Sequence, residues 1–150
     1  MIGNNFDTLL KIVKDNGTIG NQWPMESKSK VAYKFEKYRT TINASNVVGI
    51  VEGTDKKDEY VFVTAHYDHL GMRNGLIYYG ADDDGSGTVA VIQMAEAFAK
   101  AAPEGNGPRR TIVFMAVSGE EKGLWGSEYY SDHPFFPLEK TTVDLNIDMV

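Results

Sequence analysis

Apolar and polar positions change period several times along the chain, and each change marks an element. Phe6, Leu9, Leu10 and Val13 recur at helical spacing between Asn4-Asn5, either of which can cap a helix, and Gly17, which can end one. A short, peripheral amphipathic helix is predicted there. The stretch from Gly17 to Lys30 contains Pro24 and no sustained period, so it reads as loop, with Trp23 packed against a neighbour. Val31, Tyr33 and Phe35 then alternate with Ala32, Lys34 and Glu36, the period of a half-exposed strand. A second strand is predicted over Asn46 to Glu52. The polar segment Gly53 to Asp58 turns from it into an apolar run, Tyr60 to Ala65, typical of a buried strand, so these two are expected to pair as an antiparallel hairpin.

Ser86 to Ala102 is the clearest helix, with Val89, Ile92, Met94, Ala95 and Phe98 suited to its buried face and Pro103 to Pro108 stopping it. A strand follows over Thr111 to Val117. Leu124 to Tyr130 reads as helix, broken by His133-Pro134-Phe135-Phe136-Pro137, and a last strand begins near Thr142. Strand, helix, strand, helix, strand predicts an α/β fold: three layers, α/β/α, around a mixed, mainly parallel sheet with an antiparallel N-terminal edge and right-handed crossovers. Residues 1–150 form one partial domain in this reading, with 1–30 a peripheral helix and loop and 31–150 the sheet core. Val143, Leu145, Ile147 and Met149 alternate up to Val150 without the polar loop that normally follows a strand. The chain is therefore expected to be a fragment truncated at its C-terminus, with an exposed sheet edge through which it self-associates.

Composition narrows the class. A chain of 150 residues with 42% hydrophobic and 24% charged residues suits one globular domain, and no apolar run approaches the roughly 20 residues that span a bilayer. The net charge of -6, without any Lys/Arg-rich stretch, argues against nucleic acid or an anionic membrane as partner. With no cysteine there are no disulfides and no thiolate ligands, so any metal must be held by His, Asp and Glu.

Those residue types collect at strand ends. His66 closes the buried run, with Asp68 two positions on, and Asp82-Asp83-Asp84 precede the long helix. Glu120-Glu121 follow the next strand, and Asp148 lies near the end of the last. In an open α/β sheet, reacting groups gather in the crevice at the carboxyl ends of the strands. His66 is read as a metal ligand there, with Asp68 holding the imidazole by its other nitrogen. A calcium loop of the EF-hand kind fails on spacing: with Gly85 at the obligatory turn, Gly80 would take the first ligand position and Val91 the closing glutamate position. Adjacent Glu120 and Glu121 diverge, so one can bind metal while its neighbour handles a proton.

The motifs HYDH, GADDDGSG, SGEEKGLWGS and NIDMV, in this order and at these separations, resemble the co-catalytic zinc peptidases of family M28, over about Ser45 to Val150. The resemblance implies a zinc-dependent exopeptidase fold and an aminopeptidase that hydrolyses peptides with a two-zinc-activated water. It further implies that His66 and Asp148 bind one Zn2+, that Asp83 bridges both and that Glu121 binds the second. Glu120 would be the general base and Asp68 the residue orienting His66, and the Asp83-Asp84 peptide bond would be cis. The family's second zinc takes a histidine from well beyond the position of Asp148. His69 and His133 are read as surface or packing residues, which leaves Asp83 and Glu121 alone at that site. At most one zinc site is then well formed, and the chain is expected to be inactive or nearly so. A secreted, periplasmic or cell-surface location is what the resemblance implies. Two other functions are weighed: a non-catalytic binding module on the same fold, and a single-zinc transferase like the glutaminyl cyclases.

Overall fold

The computed structural model describes Lys11, Asp15 and residues 34–150. Lys11 and Asp15 are helical, while Phe6, Leu9, Leu10, Val13 and Trp23 lie outside the described residues. The chain divides into two units, Met1–Thr40 and Thr41–Val150. In the first, residues 34–40 carry no regular structure, and the Tyr38 hydroxyl donates to Glu36 Oε2 at 2.6 Å. The strand predicted from Val31 is therefore not continued through Lys34, Phe35 and Glu36. Alternation gives a strand only where a neighbouring backbone completes the ladder, and among the described residues none pairs with these three.

The second unit is built from β1 (Val47–Val51), β2 (Lys56–His66), β3 (Gly71–Arg73), β4 (Leu76–Tyr78), α1 (Gly85–Ala101), β5 (Arg110–Val117), α2 (Trp125–Asp132) and β6 (Thr141–Asn146). Four strands form one sheet in the order β1-β5-β2-β6. β5 and β6 both run parallel to β2, and β1 is antiparallel to β5. The sheet is thus mixed and mainly parallel with an antiparallel edge, as the sequence pattern predicts.

The predicted hairpin between β1 and β2 does not form, because β5 lies between them. The reason sits at Gly53, whose N–H donates to Thr111 Oγ1 at 3.0 Å where the chain crosses the start of β5. A Cβ on Gly53 would stand 2.5 Å from the carbonyl oxygen of Arg109, so only glycine permits the crossing. Thr54 N–H then bonds to the carbonyl of Pro108 at 3.0 Å, and β2 continues on the far side of β5.

Each face of the sheet is covered by a helix. Val63 and Ala65 of β2 and Ile112 and Phe114 of β5 pack with Val91, Met94, Ala95 and Phe98 of α1. Phe62, Val113, Met115 and Val117 point the other way and pack with Tyr130 of α2. β5 is buried along nearly its whole length, which is why its sequence is a continuous apolar run, and each large side chain so placed contributes about 2 kcal/mol. On α1, Val89 and Ile92 are exposed, at 53% and 59%, contrary to their predicted place in the core. The buried stripe runs Gly87, Val91, Met94, Ala95 and Phe98, the helical progression that faces the sheet. β3 and β4 form a hairpin in a segment to which the sequence pattern assigns no element. Its turn is Asn74-Gly75, both at positive φ (52° and 77°), the two-residue turn whose twist suits a hairpin.

Candidate metal centre

Because β2, β5 and β6 are mutually parallel, their carboxyl ends open on the same side. His66, the last residue of β2, is level with Val117 of β5, three residues before Glu120. Thr64 is level with Asn146, and the next backbone bond, Ile147 N–H to the Thr64 carbonyl at 2.8 Å, carries the register forward so that Asp148 arrives beside His66. Register alone brings the imidazole and these carboxylates to one end of the sheet.

Asp84 fixes the segment that brings the aspartates there. It is 1% exposed, and its two carboxylate oxygens accept from three backbone N–H groups: His66 at 3.0 Å, Gly87 at 3.0 Å and Met149 at 3.2 Å. One side chain therefore caps α1 and ties it to the ends of β2 and β6. Thr88 adds a fourth tie, donating to the His66 carbonyl at 2.7 Å. The Asp83-Asp84 peptide bond is cis. Nothing in the sequence reading separates Asp84 from its neighbours, although an aspartate immediately before a helix is an N-cap signal.

His66 is buried. Its Nδ1 lies 2.9 Å from the Asp68 carbonyl oxygen, an atom that can only accept, so Nδ1 carries the proton and Nε2 presents a lone pair. Asp68 thus meets the ring through its backbone; its carboxylate is 3.8 Å from Nδ1 and accepts the Glu120 N–H at 3.3 Å. On the other side of the ring, Nε2 stands 3.0 Å from Asp83 Oδ1 and 3.9 Å from Glu120 Oε2. Burial pushes the pKa of His66 down, but the Asp68 carbonyl and the charges of Asp84, Glu120 and Asp148 outweigh it and leave the value above the ordinary one.

Glu120 and Glu121 lie in a single 3-10 turn, Glu120–Lys122, that follows β5 through Gly119. Glu121 Oε1 is 2.8 Å from His69 Nδ1, and that nitrogen is 3.9 Å from Asp83 Oδ1. His69, read from sequence as a surface or packing residue, has a side chain 17% exposed and lies within this cluster. His133 stands apart, exposed, with its ring stacked on Tyr129 at 4.5 Å.

The donors fall into two groups: His66, Asp83 and Asp148, and His69, Asp83 and Glu121, with the potential ligand atoms of each group within 4.8 Å of one another. All of the predicted site residues are at this end of the sheet. Among the described residues, no lysine or arginine forms an ion pair with Asp68, Asp83, Glu120, Glu121 or Asp148. His66 Nε2, His69 Nδ1 and Glu121 Oε1 are buried without a hydrogen-bond partner, although each has an oppositely disposed atom at 3.0 Å or less. Short contacts without hydrogen-bond alignment, among lone pairs screened from water, suit atoms directed at a common cation. The nitrogen and oxygen donor set is that of zinc and its neighbours in the first transition row. Cavities flank the centre: one of about 280 Å3 beside His66, Glu120 and Asp148, walled by Phe62, Leu124 and Tyr130, and one of about 830 Å3 that reaches Asp68 and His69 between Tyr67, Trp125 and Phe135.

Residues 46–150 match the model of peptidase family M28. The chain is similar to the aminopeptidase YwaD of Bacillus subtilis, 36% identical over 113 residues that cover 74% of this chain and 23% of that protein. A protein named as a probable zinc metalloprotease of Pyrenophora tritici-repentis is 32% identical over 145 residues, 91% of this chain and 27% of its own length. The chain thus spans about a quarter of the length of these relatives. Among solved structures, an aminopeptidase from Aneurinibacillus sp. strain AM-1 superposes with a TM-score of 0.56 at 23% identity, covering 70% of this chain and 24% of its own, and shares the fold.

Proposed function

The chain belongs to peptidase family M28, and from that premise we propose that its site is that of a zinc-dependent aminopeptidase, which hydrolyses the first bond of a peptide with a free N-terminus. The observation that carries the reading is the pair of donor groups meeting at Asp83, beside a carboxylate, Glu120, that belongs to neither group. The relatives named as aminopeptidases support the polarity.

His66, Asp83 and Asp148 would hold one zinc, and Asp83 and Glu121 would contribute to a second. Bound zinc supplies positive charge that polarises the scissile carbonyl and brings the pKa of the attacking water toward ~7. Glu120 takes the proton of that water and returns it to the departing amine, the two halves of general base and general acid work by one carboxylate. Its backbone is held for this by the Asp68 carboxylate at 3.3 Å. Asp68 also fixes the tautomer of His66 through its carbonyl, so that the free lone pair faces Asp83. Beside that second position, His69 Nδ1 stands 2.8 Å from Glu121 Oε1.

The experiment is calorimetric titration of the zinc-loaded protein with leucine hydroxamate and with its N-acetylated form. The free-amine compound is expected to bind about tenfold or more tightly, because a site that recognises an amine rejects the analogue lacking it. Equal affinity would sink the aminopeptidase polarity, and no affinity for either would sink the peptidase reading. Two lesser proposals accompany it. A location outside the cytoplasm is supported by the family resemblance and would be read by cell fractionation. Self-association through β6 is supported by the exposure of Val143 and Leu145, 41% and 52%, and would be read by light scattering.

A further inference from the structure

We infer that Asn46 is a positioning residue for the two glutamates: its side-chain amide closes the base of the loop that carries Glu120 and Glu121, and so sets where their carboxylates stand. The inference rests on the metallopeptidase reading above, which makes those carboxylates the working ones. The antiparallel edge strand is what brings Asn46 there. Val47, the first residue of β1, is level with Ala116 of β5, so Asn46, one position earlier, stands beside the exit of β5. β1 therefore begins where β2, β5 and β6 finish.

Asn46 is half-buried, and its carboxamide bonds to backbone far along the chain: Nδ2 donates to the Gly126 carbonyl at 2.7 Å, and Oδ1 accepts the Ser118 N–H at 3.3 Å. Ser118 and Gly126 are the two ends of one loop, and they also meet directly, the Gly126 N–H donating to the Ser118 carbonyl at 2.8 Å. A Cβ on Gly126 would stand 2.6 Å from that carbonyl oxygen and would strike Asn46 Oδ1, so strand end, helix start and carboxamide close on one another with no room for a side chain. Inside the loop, the Glu120 carbonyl accepts the N–H groups of Gly123 and Leu124 at 2.9 and 3.0 Å. The loop is tied within as well as at its base.

Only an amide serves both ends, with one donor facing a carbonyl and one acceptor facing an N–H. A carboxylate would turn an oxygen toward the Gly126 carbonyl, and alanine would leave that carbonyl without its partner. Loosening the base moves what the loop carries, and a displacement of about 1 Å can cost on the order of a hundredfold at a reacting group. One residue earlier, the Ser45 carbonyl accepts the Tyr67 hydroxyl at 2.6 Å. Neighbouring residues at one strand entry thus hold the segments that follow both β2 and β5.

Native-state hydrogen exchange of the metal-free chain and leucine hydroxamate titration of the zinc-loaded chain test this. In Asn46→Ala and in the isosteric Asn46→Asp, the Leu124 and Gly126 amides should exchange about tenfold faster, and the hydroxamate should bind about tenfold more weakly. Val51→Ala, which removes a core side chain from the same strand, should leave both at the parental level, because opening the loop does not disturb Val51. Parental loop exchange in both Asn46 variants overturns the inference. Faster exchange with unchanged hydroxamate affinity overturns it too, since the loop would then be held without placing the carboxylates. So does a Val51→Ala chain that loses as much affinity as Asn46→Ala, which would reduce the effect to general stability. A parent chain with no hydroxamate affinity sinks the peptidase reading instead, and loop exchange then decides alone whether Asn46 sets the loop.

Discussion

The two ends of the sheet treat their charges in opposite ways. At the amino ends of β2 and β5, Arg109 meets both oxygens of Asp55, with Nη2 at 2.7 Å and Nε at 3.0 and 3.1 Å, and Arg110 Nε meets Glu59 at 2.6 Å with Lys56 3.5 Å from the same carboxylate. At the carboxyl ends, five acids share two histidines and, among the described residues, no lysine or arginine. One chain builds both ends from the same residue types, so the missing counter-charge cannot be laid to composition. Matched charge is what solubility and folding ask for; gathered, unmatched carboxylates cost stability through mutual repulsion and mark a place where something else supplies the positive charge.

Asp84 is the exception at the carboxyl ends, and it gives the strongest test of the comparison. Unlike Asp83 beside it, Asp84 is fully used by backbone N–H groups of His66, Gly87 and Met149. Asp84→Ala should lower the free energy of unfolding by about 3 to 5 kcal/mol, since it takes the acceptor from three backbone donors, two of those bonds buried, and removes a helix cap at once. Chemical denaturation of the metal-free chain reads this directly. A loss below about 1 kcal/mol would mean that the carboxyl ends hold together by some other means, and the contrast between satisfied and unsatisfied acids would lose its sharpest member.

Asp148 is the complementary case, a donor that the fold does not use. Zinc at a hundred times its dissociation constant should add ~2.7 kcal/mol to the stability of the native chain. Asp148→Asn should remove most of that gain, yet leave the metal-free chain no less stable, because it deletes an exposed negative charge that stands among others and, among the described residues, meets no lysine or arginine. Thermal unfolding with and without zinc separates the two effects. If the substitution destabilises the metal-free chain as Asp84→Ala does, the division of the acids into structural and ligand-bearing fails.

Much of this was legible in the sequence, for physical reasons that also explain what was not. Strand and helix identity from Asn46 onward follows from period, and the convergence of His66, Asp83, Glu120, Glu121 and Asp148 follows from parallel strands ending on one side. Strand order did not follow, since the neighbour of β1 is decided by a backbone crossing at Gly53 that no side-chain pattern records. The β3–β4 hairpin was marked by Asn74-Gly75, but its strands of three residues are too short for alternation to show. The place of His69 beside Glu121 did not follow either, because a loop has no period: three residues past His66, its direction is set by the packing of Gly80. Asp84 and Asp83 are chemically identical in sequence, and only the cap distinguishes them.

The smallest expected effect lies at the other end of the sheet. Asp55 is held at about 2, first by its hydrogen bonds from Arg109, which outweigh the opposing effect of desolvation, and then by the charge of that guanidinium. A carboxyl whose pKa is depressed on folding stabilises the native state above its unfolded value, near about 3.9, and loses that contribution as pH falls through the folded one. The window is therefore acid, from about pH 4 down to about 2, and the pair contributes its full share at neutral pH. Because both partners are solvent-exposed, the contribution is modest and should shrink further in 1 M salt. Carboxyl 13C titration should place Asp55 near 2 in the parent chain and near the ordinary value in Arg109→Ala, with zinc stoichiometry the same in both. A change in zinc binding on losing Arg109 would show that the two ends of the sheet are coupled, and that the matched charges at one end serve the unmatched ones at the other.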